Sequence, residues 1–102
     1  MLTQEKALSY LGIDYADDLI KDNVDRSIAA AKAVLLGSVG ADVLDYMPDD
    51  PRILELELIY MEDLYSQRGI GAKVSGATRR LVACMELQLR IELRIKKEEA
   101  GL

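Results

Sequence analysis

The chain has 102 residues, 50% of them hydrophobic but only 5% aromatic, and a net charge of −5 with pI near 4.7. That length supports one domain over 1–102, and the acidic balance argues against a dedicated nucleic-acid binder, which carries a basic face. With no histidine and with Cys84 as the one cysteine, the Ser–His and Cys–His catalytic devices, a disulfide framework and a thiolate metal set are excluded.

Thr3 can cap a first helix over 4–11, ended by Gly12. Asp14, Asp17 and Asp18 then stand at or near a second helix start, where carboxylates match the positive end of the macrodipole. That helix is expected to run to Leu36 and stop at Gly37. Its core face is Ile20, Val24, Ile28, Ala31 and Leu35. Ala29, Ala30, Ala31 and Ala33 add a small-residue surface that permits close helix approach. Residues 37–52 form a connector around a short element at 41–46, one helical turn. Asp50 followed by Pro51 is a start signal, a cap residue and then proline at the first helical position. The third helix, from 51 to about 67, is apolar on most sides and therefore central. Gly69, Gly71 and Gly76 mark a Gly-rich loop before the last helix; their spacing fits no nucleotide motif. A fourth helix begins near Ala77 or Thr78.

From Met85 onward this last segment is apolar at every second residue: Met85, Leu87, Leu89, Ile91, Leu93, Ile95. As a strand it has one apolar and one charged face. Its composition favours helix, and Glu86–Arg90 and Glu92–Lys96 are i,i+4 pairs in the better orientation. A helix through Arg90 followed by an extended tail is the mixed alternative. As a helix, the segment carries two apolar stripes: Met85, Leu89 and Leu93 on one side, Leu87, Ile91 and Ile95 roughly opposite. A small monomer needs only one such stripe, so the second asks for a partner. Leu87, Ile91 and Ile95, with Arg90 and Arg94 beside them, are the candidate interface. Arg79 and Arg80 sit at the helix start, where basic side chains do not help the dipole and suggest an external acidic partner. Cys84, next to Leu81 and Met85, reads as a buried structural thiol.

Residues 1–50 hold ten acids and four bases, and residues 51–102 eight acids and nine bases. This is either an ordinary solvated surface or a molecule whose acidic and basic sides meet head to tail. A metal site would have to be all-carboxylate, and Asp42, Asp45, Asp49 and Asp50 lack the spacing of a calcium loop and its closing Glu. No cofactor is expected. No apolar run approaches the roughly 20 residues that span a bilayer, and the N-terminus is unlike a signal peptide, so no membrane role and synthesis in a cytoplasm are expected. An enzyme could still be built from Arg68, Lys73, Arg79 and Arg80 clamping a dianionic substrate, as in small all-α chorismate mutases.

Several segments together carry a family resemblance. The opening Leu2-Thr3-Gln4-Glu5-Lys6-Ala7-Leu8-Ser9-Tyr10-Leu11-Gly12-Ile13-Asp14 is one, and Asp17-Asp18-Leu19-Ile20 leading into an Ala-rich helix is another. Tyr60-Met61-Glu62-Asp63-Leu64-Tyr65-Ser66-Gln67-Arg68, then Val74-Ser75 and Leu87-Gln88-Leu89-Arg90, complete the set. In order and spacing the chain resembles the small head–tail connector proteins of tailed bacteriophages, the DNA-packaging adaptor family. Residues 37–52 depart from that pattern. The resemblance implies a non-enzymatic all-α subunit at the virion head–tail junction, made in the bacterial host cytoplasm. It implies a homo-oligomeric ring, dodecameric in the virion, under the portal protein. Such a ring extends the DNA channel, lets DNA pass without specific binding, and docks a stopper or tail-completion protein. A dimeric helical regulator or adaptor, burying the second stripe on a two-fold axis, is the alternative.

Overall fold

The computed structural model describes residues 2–66 and 76–101, and these are all-α, with no strand among them. Five helices follow in order: α1 (Gln4–Leu11), α2 (Asp18–Ser38), α3 (Val43–Tyr46), α4 (Pro51–Ser66) and α5 (Gly76–Ala100). α3 is the single turn expected in the connector. Gly69 and Gly71, and with them most of the expected Gly-rich loop, lie outside the described residues; Gly76, expected in that loop, is instead the first residue of α5.

Local chemistry sets most of the boundaries. The Thr3 hydroxyl accepts from the Lys6 N–H at 3.2 Å, and Gly12 closes α1 in the left-handed region at φ 74°. Asp17 caps α2, its carboxylate accepting from the Ile20 N–H at 2.8 Å; Asp14 stays outside the helix. Asp50 takes the Arg52 N–H at 3.0 Å and so starts α4 behind Pro51.

Gly37 does not stop α2. The helix continues to Ser38, and the Val39 N–H still donates to the Leu35 carbonyl at 2.9 Å. Leu35 and Val39 are both buried in the core. Burying such side chains is worth about 1.5–3 kcal/mol each, more than the roughly 1 kcal/mol cost of an internal glycine. The turn comes at Gly40, where an added Cβ would lie 2.7 Å from the Leu93 side chain.

α2 and α4 make the most extensive helix–helix contact. They run antiparallel: Val24 of early α2 clusters with Met61 of late α4, and Leu35 of late α2 with Ile53 and Leu56 of early α4. The core has two parts. Leu2, just ahead of α1, and Ala7 within it close one. α3 and α5 close the other through Val43, Met85, Leu89 and Leu93, and Tyr60 touches both parts.

α5 is helical from Gly76 to Ala100, which removes both the strand and the extended tail. The expected i,i+4 pairs within it are not the ones formed. Glu86 accepts from the Tyr60 hydroxyl, Arg90 donates to the Ser38 carbonyl at 2.9 Å, and Glu92 pairs with Arg52. Each side chain finds a partner on another element, where the contact also docks the helix. At the far end, Lys97 meets Asp42 at 2.8 Å. No described helix is long and apolar enough to cross a membrane.

Candidate assembly surface

The two stripes of α5 have opposite fates. Met85, Leu89 and Leu93 are buried, whereas Leu87 and Ile91 keep 52% of their surface exposed and Ile95 48%. Leu81, 55% exposed, extends the outer stripe toward the helix start. Cys84 is exposed on the same stripe, which corrects its reading as a buried thiol. At 100° per residue, Leu81, Cys84, Leu87, Ile91 and Ile95 fall within an arc of about 120°. They extend about 21 Å along the axis at 1.5 Å per residue. The spacing 84, 87, 91 was visible in the sequence; placing Cys84 beside Met85 concealed it, because neighbours in sequence stand on different sides of a helix.

The charged candidates divide. The same helical arithmetic puts Arg80 on the apolar arc and Arg94 at its edge, with Arg79 and Arg90 well away from it. Arg79 and Arg80 are both exposed. Arg94 is engaged by Glu98 one turn on, at 3.3 Å in an exposed pair. Arg90 is spent within the subunit on the Ser38 carbonyl at the end of α2, where a cation suits the negative helix terminus.

On the buried side, Arg52 organises the docking of α5. It holds Asp50 through two bonds, at 2.9 and 2.7 Å, reaches Gln88 at 3.2 Å and pairs with Glu92. The Arg52 guanidinium keeps the Asp50 carboxyl below the usual carboxylate range, and the two carboxylates raise the arginine in turn. Burial, reinforced by the hydrogen bond to Glu86, pushes the Tyr60 phenol up.

A cleft of about 480 Å³ is lined by Leu44, Pro48, Asp50, Ile53 and Glu57, among others. Glu57 is almost fully buried, and burial raises its carboxyl pKa, with Lys32 opposing. A carboxyl whose pKa is higher in the folded chain binds its proton more tightly there. Stability therefore falls as pH rises from the unfolded value near 4.3 through the folded one. Glu57→Gln removes that loss. It is expected to stabilise the chain at pH 7, with the gain shrinking toward pH 4; thermal melts at the two pH values check this.

Among the described residues, no three His, Cys, Asp or Glu side chains are placed to hold a metal ion. Of the four basic residues of the enzyme alternative, Arg68 and Lys73 lie outside the described residues, and Arg79 and Arg80 project from the start of α5. Comparison with protein families, with curated proteins and with solved structures gives no match.

Proposed function

We propose that the chain is a structural assembly adaptor, a head–tail connector subunit that joins copies of itself into a ring beneath a phage portal. In that role it continues the DNA channel and offers a stopper or tail-completion protein its docking platform. It acts without catalysis, cofactor or membrane, and the ring is dodecameric in the virion. One observation carries the reading: the apolar stripe left outside on α5 while the opposite stripe already fills the core. A contiguous exposed apolar face marks an interaction site, and a fold that hides one stripe has no internal use for the second. An acidic chain also suits a channel that DNA must slide through, because it offers few phosphate contacts. The family resemblance supplies the biological setting.

The test is co-sedimentation with purified portal rings. Wild type is expected to bind. Leu87→Ser with Ile91→Ser is expected to lose at least about tenfold in affinity, the effect of roughly 1.4 kcal/mol, with an unchanged melting temperature. A wild-type chain that ignores portal rings and forms a discrete dimer would replace this reading with that of a two-fold helical regulator.

A further inference from the structure

We propose that the cleft between α3 and the start of α4 is a binding site for an organic cation, a primary ammonium on an unbranched alkyl stem, with Glu57 as its counter-charge. Leu44, Pro48, Pro51, Ile53 and Leu54 supply apolar wall, and Glu57 lines the cleft with them. Glu57 stands about one helical turn beyond Ile53 on α4 and keeps only 3% of its surface exposed. Among the described residues no hydrogen bond reaches its carboxylate; the charges of Lys32 and of the amino terminus act on it only through space. The carboxylate is nevertheless not sealed in, because among the described residues no enclosed side-chain oxygen or nitrogen lacks a partner. An unbonded carboxylate on so buried a residue therefore opens onto solvent, and the cleft is the opening it lines.

Such a group calls for a counter-charge. Buried charges are stable when paired, since an unpaired one loses hydration with nothing in return. Glutamine would fill the same space without the charge, so packing alone does not ask for an acid at this position.

The rest of the wall selects the kind of cation. Asp50 is already held by Arg52, and Asp49 is exposed at the rim. One free carboxylate among aliphatic walls does not ligate a metal ion, and no group of three ligands forms among the described residues. A guanidinium spreads its donors over a plane, more of them than one carboxylate accepts among aliphatic neighbours. An ammonium gives two donors to Glu57 and turns the third toward the rim. Its stem then lies along Leu44, Pro48, Pro51 and Leu54, as lysine stems lie along apolar surface. The volume, about 480 Å³, falls within the roughly 300–1,000 Å³ of small-ligand sites. A free alkylamine and the side chain of a partner's lysine carry the same recognised group. The cleft uses nothing of the exposed stripe on α5, so it stands or falls apart from the adaptor reading.

The experiment titrates the isotope-labelled full chain with n-butylamine hydrochloride at pH 7 and constant ionic strength, followed by amide NMR. Saturable shifts centred on residues 44–57 are expected, with a dissociation constant of roughly millimolar order. n-Butanol, the same stem without the charge, is expected to bind at least about tenfold more weakly. Glu57→Gln, which folds at least as stably as wild type if its stated effect holds, is expected to lose at least about tenfold in affinity for butylamine. Glu99→Gln, exposed near the end of α5, is expected to bind as wild type does and controls for net charge. Nα-acetyl-lysine methylamide separates the two sources, and either result supports the site. Binding equal to that of butylamine admits a partner's lysine, and its exclusion while butylamine binds leaves the free amine. Shifts that do not saturate, that scatter over the surface acids, or that persist unchanged in Glu57→Gln overturn the site. Equal binding of n-butanol also overturns it, because the cleft would then take any apolar stem and Glu57 would recognise nothing.

Discussion

Leu89→Ala is expected to lower stability by about 2–5 kcal/mol, whereas Leu87→Ala, two residues away, should change it by less than about 0.5 kcal/mol. Leu89 is fully buried and packs in the core part built from α2, α3, α4 and α5. Removing it leaves a cavity among Leu35, Val39, Val43 and Met85, whose backbones belong to different helices and cannot all close inward. Leu87 faces water, so shortening it gives up little burial. At about 4–8 °C per kcal/mol for a domain of this size, the first variant melts at least roughly 8 °C lower and the second within a few degrees of wild type. Paired thermal melts decide it. Equal shifts in the two variants would mean that the outer stripe is engaged within a lone subunit, and the assembly reading would lose its basis.

The second large effect is expected at Arg52. Arg52→Ala leaves Asp50 and Glu92 facing each other without the cation that joins them. Both bonds to Asp50 and the bridge to α5 go with it. Hydrogen bonds to charged groups are worth about 1.5–3 kcal/mol, and a loss of about 2 kcal/mol is expected. The variant also alters the acid limb of stability. Asp50 has its folded pKa lowered by Arg52, so its contribution is present above the unfolded value near 3.9 and is lost as pH falls through the lower folded pKa. Without Arg52 that loss has largely disappeared. The stability difference between wild type and variant should therefore shrink as pH drops from 5 toward 2, followed by urea titration at each pH. A constant difference across that range would refute the clamp.

What could be read from the sequence was what is decided locally. Thr3, Gly12, Asp17 and the Asp50–Pro51 step act within one turn of themselves, and the helices begin where they direct. The reach of α2 past Gly37 was not legible, because Val39 is drawn onward by core contacts with α5 that no window around Gly37 contains. The expected Glu86–Arg90 and Glu92–Lys96 pairs of α5 failed for the same reason: Tyr60, Ser38 and Arg52 arrive from elsewhere and outcompete neighbours four residues away. The outer stripe itself followed from spacing alone. Which stripe turns inward did not, since both are equally apolar and only the facing surfaces of α3 and α4 choose between them. Arg90, set beside the interface on sequence grounds, belongs to the end of α2 instead.

The bond from Tyr60 to Glu86 has a practical side. The chain has no tryptophan and five tyrosines, so its near-ultraviolet optics belong to phenols. Tyr60 sits where both parts of the core meet and spends its hydroxyl on the last helix. Its ring thus contributes a native, label-free report of whether that helix is seated to the near-ultraviolet circular dichroism of the isolated chain, which five phenols share.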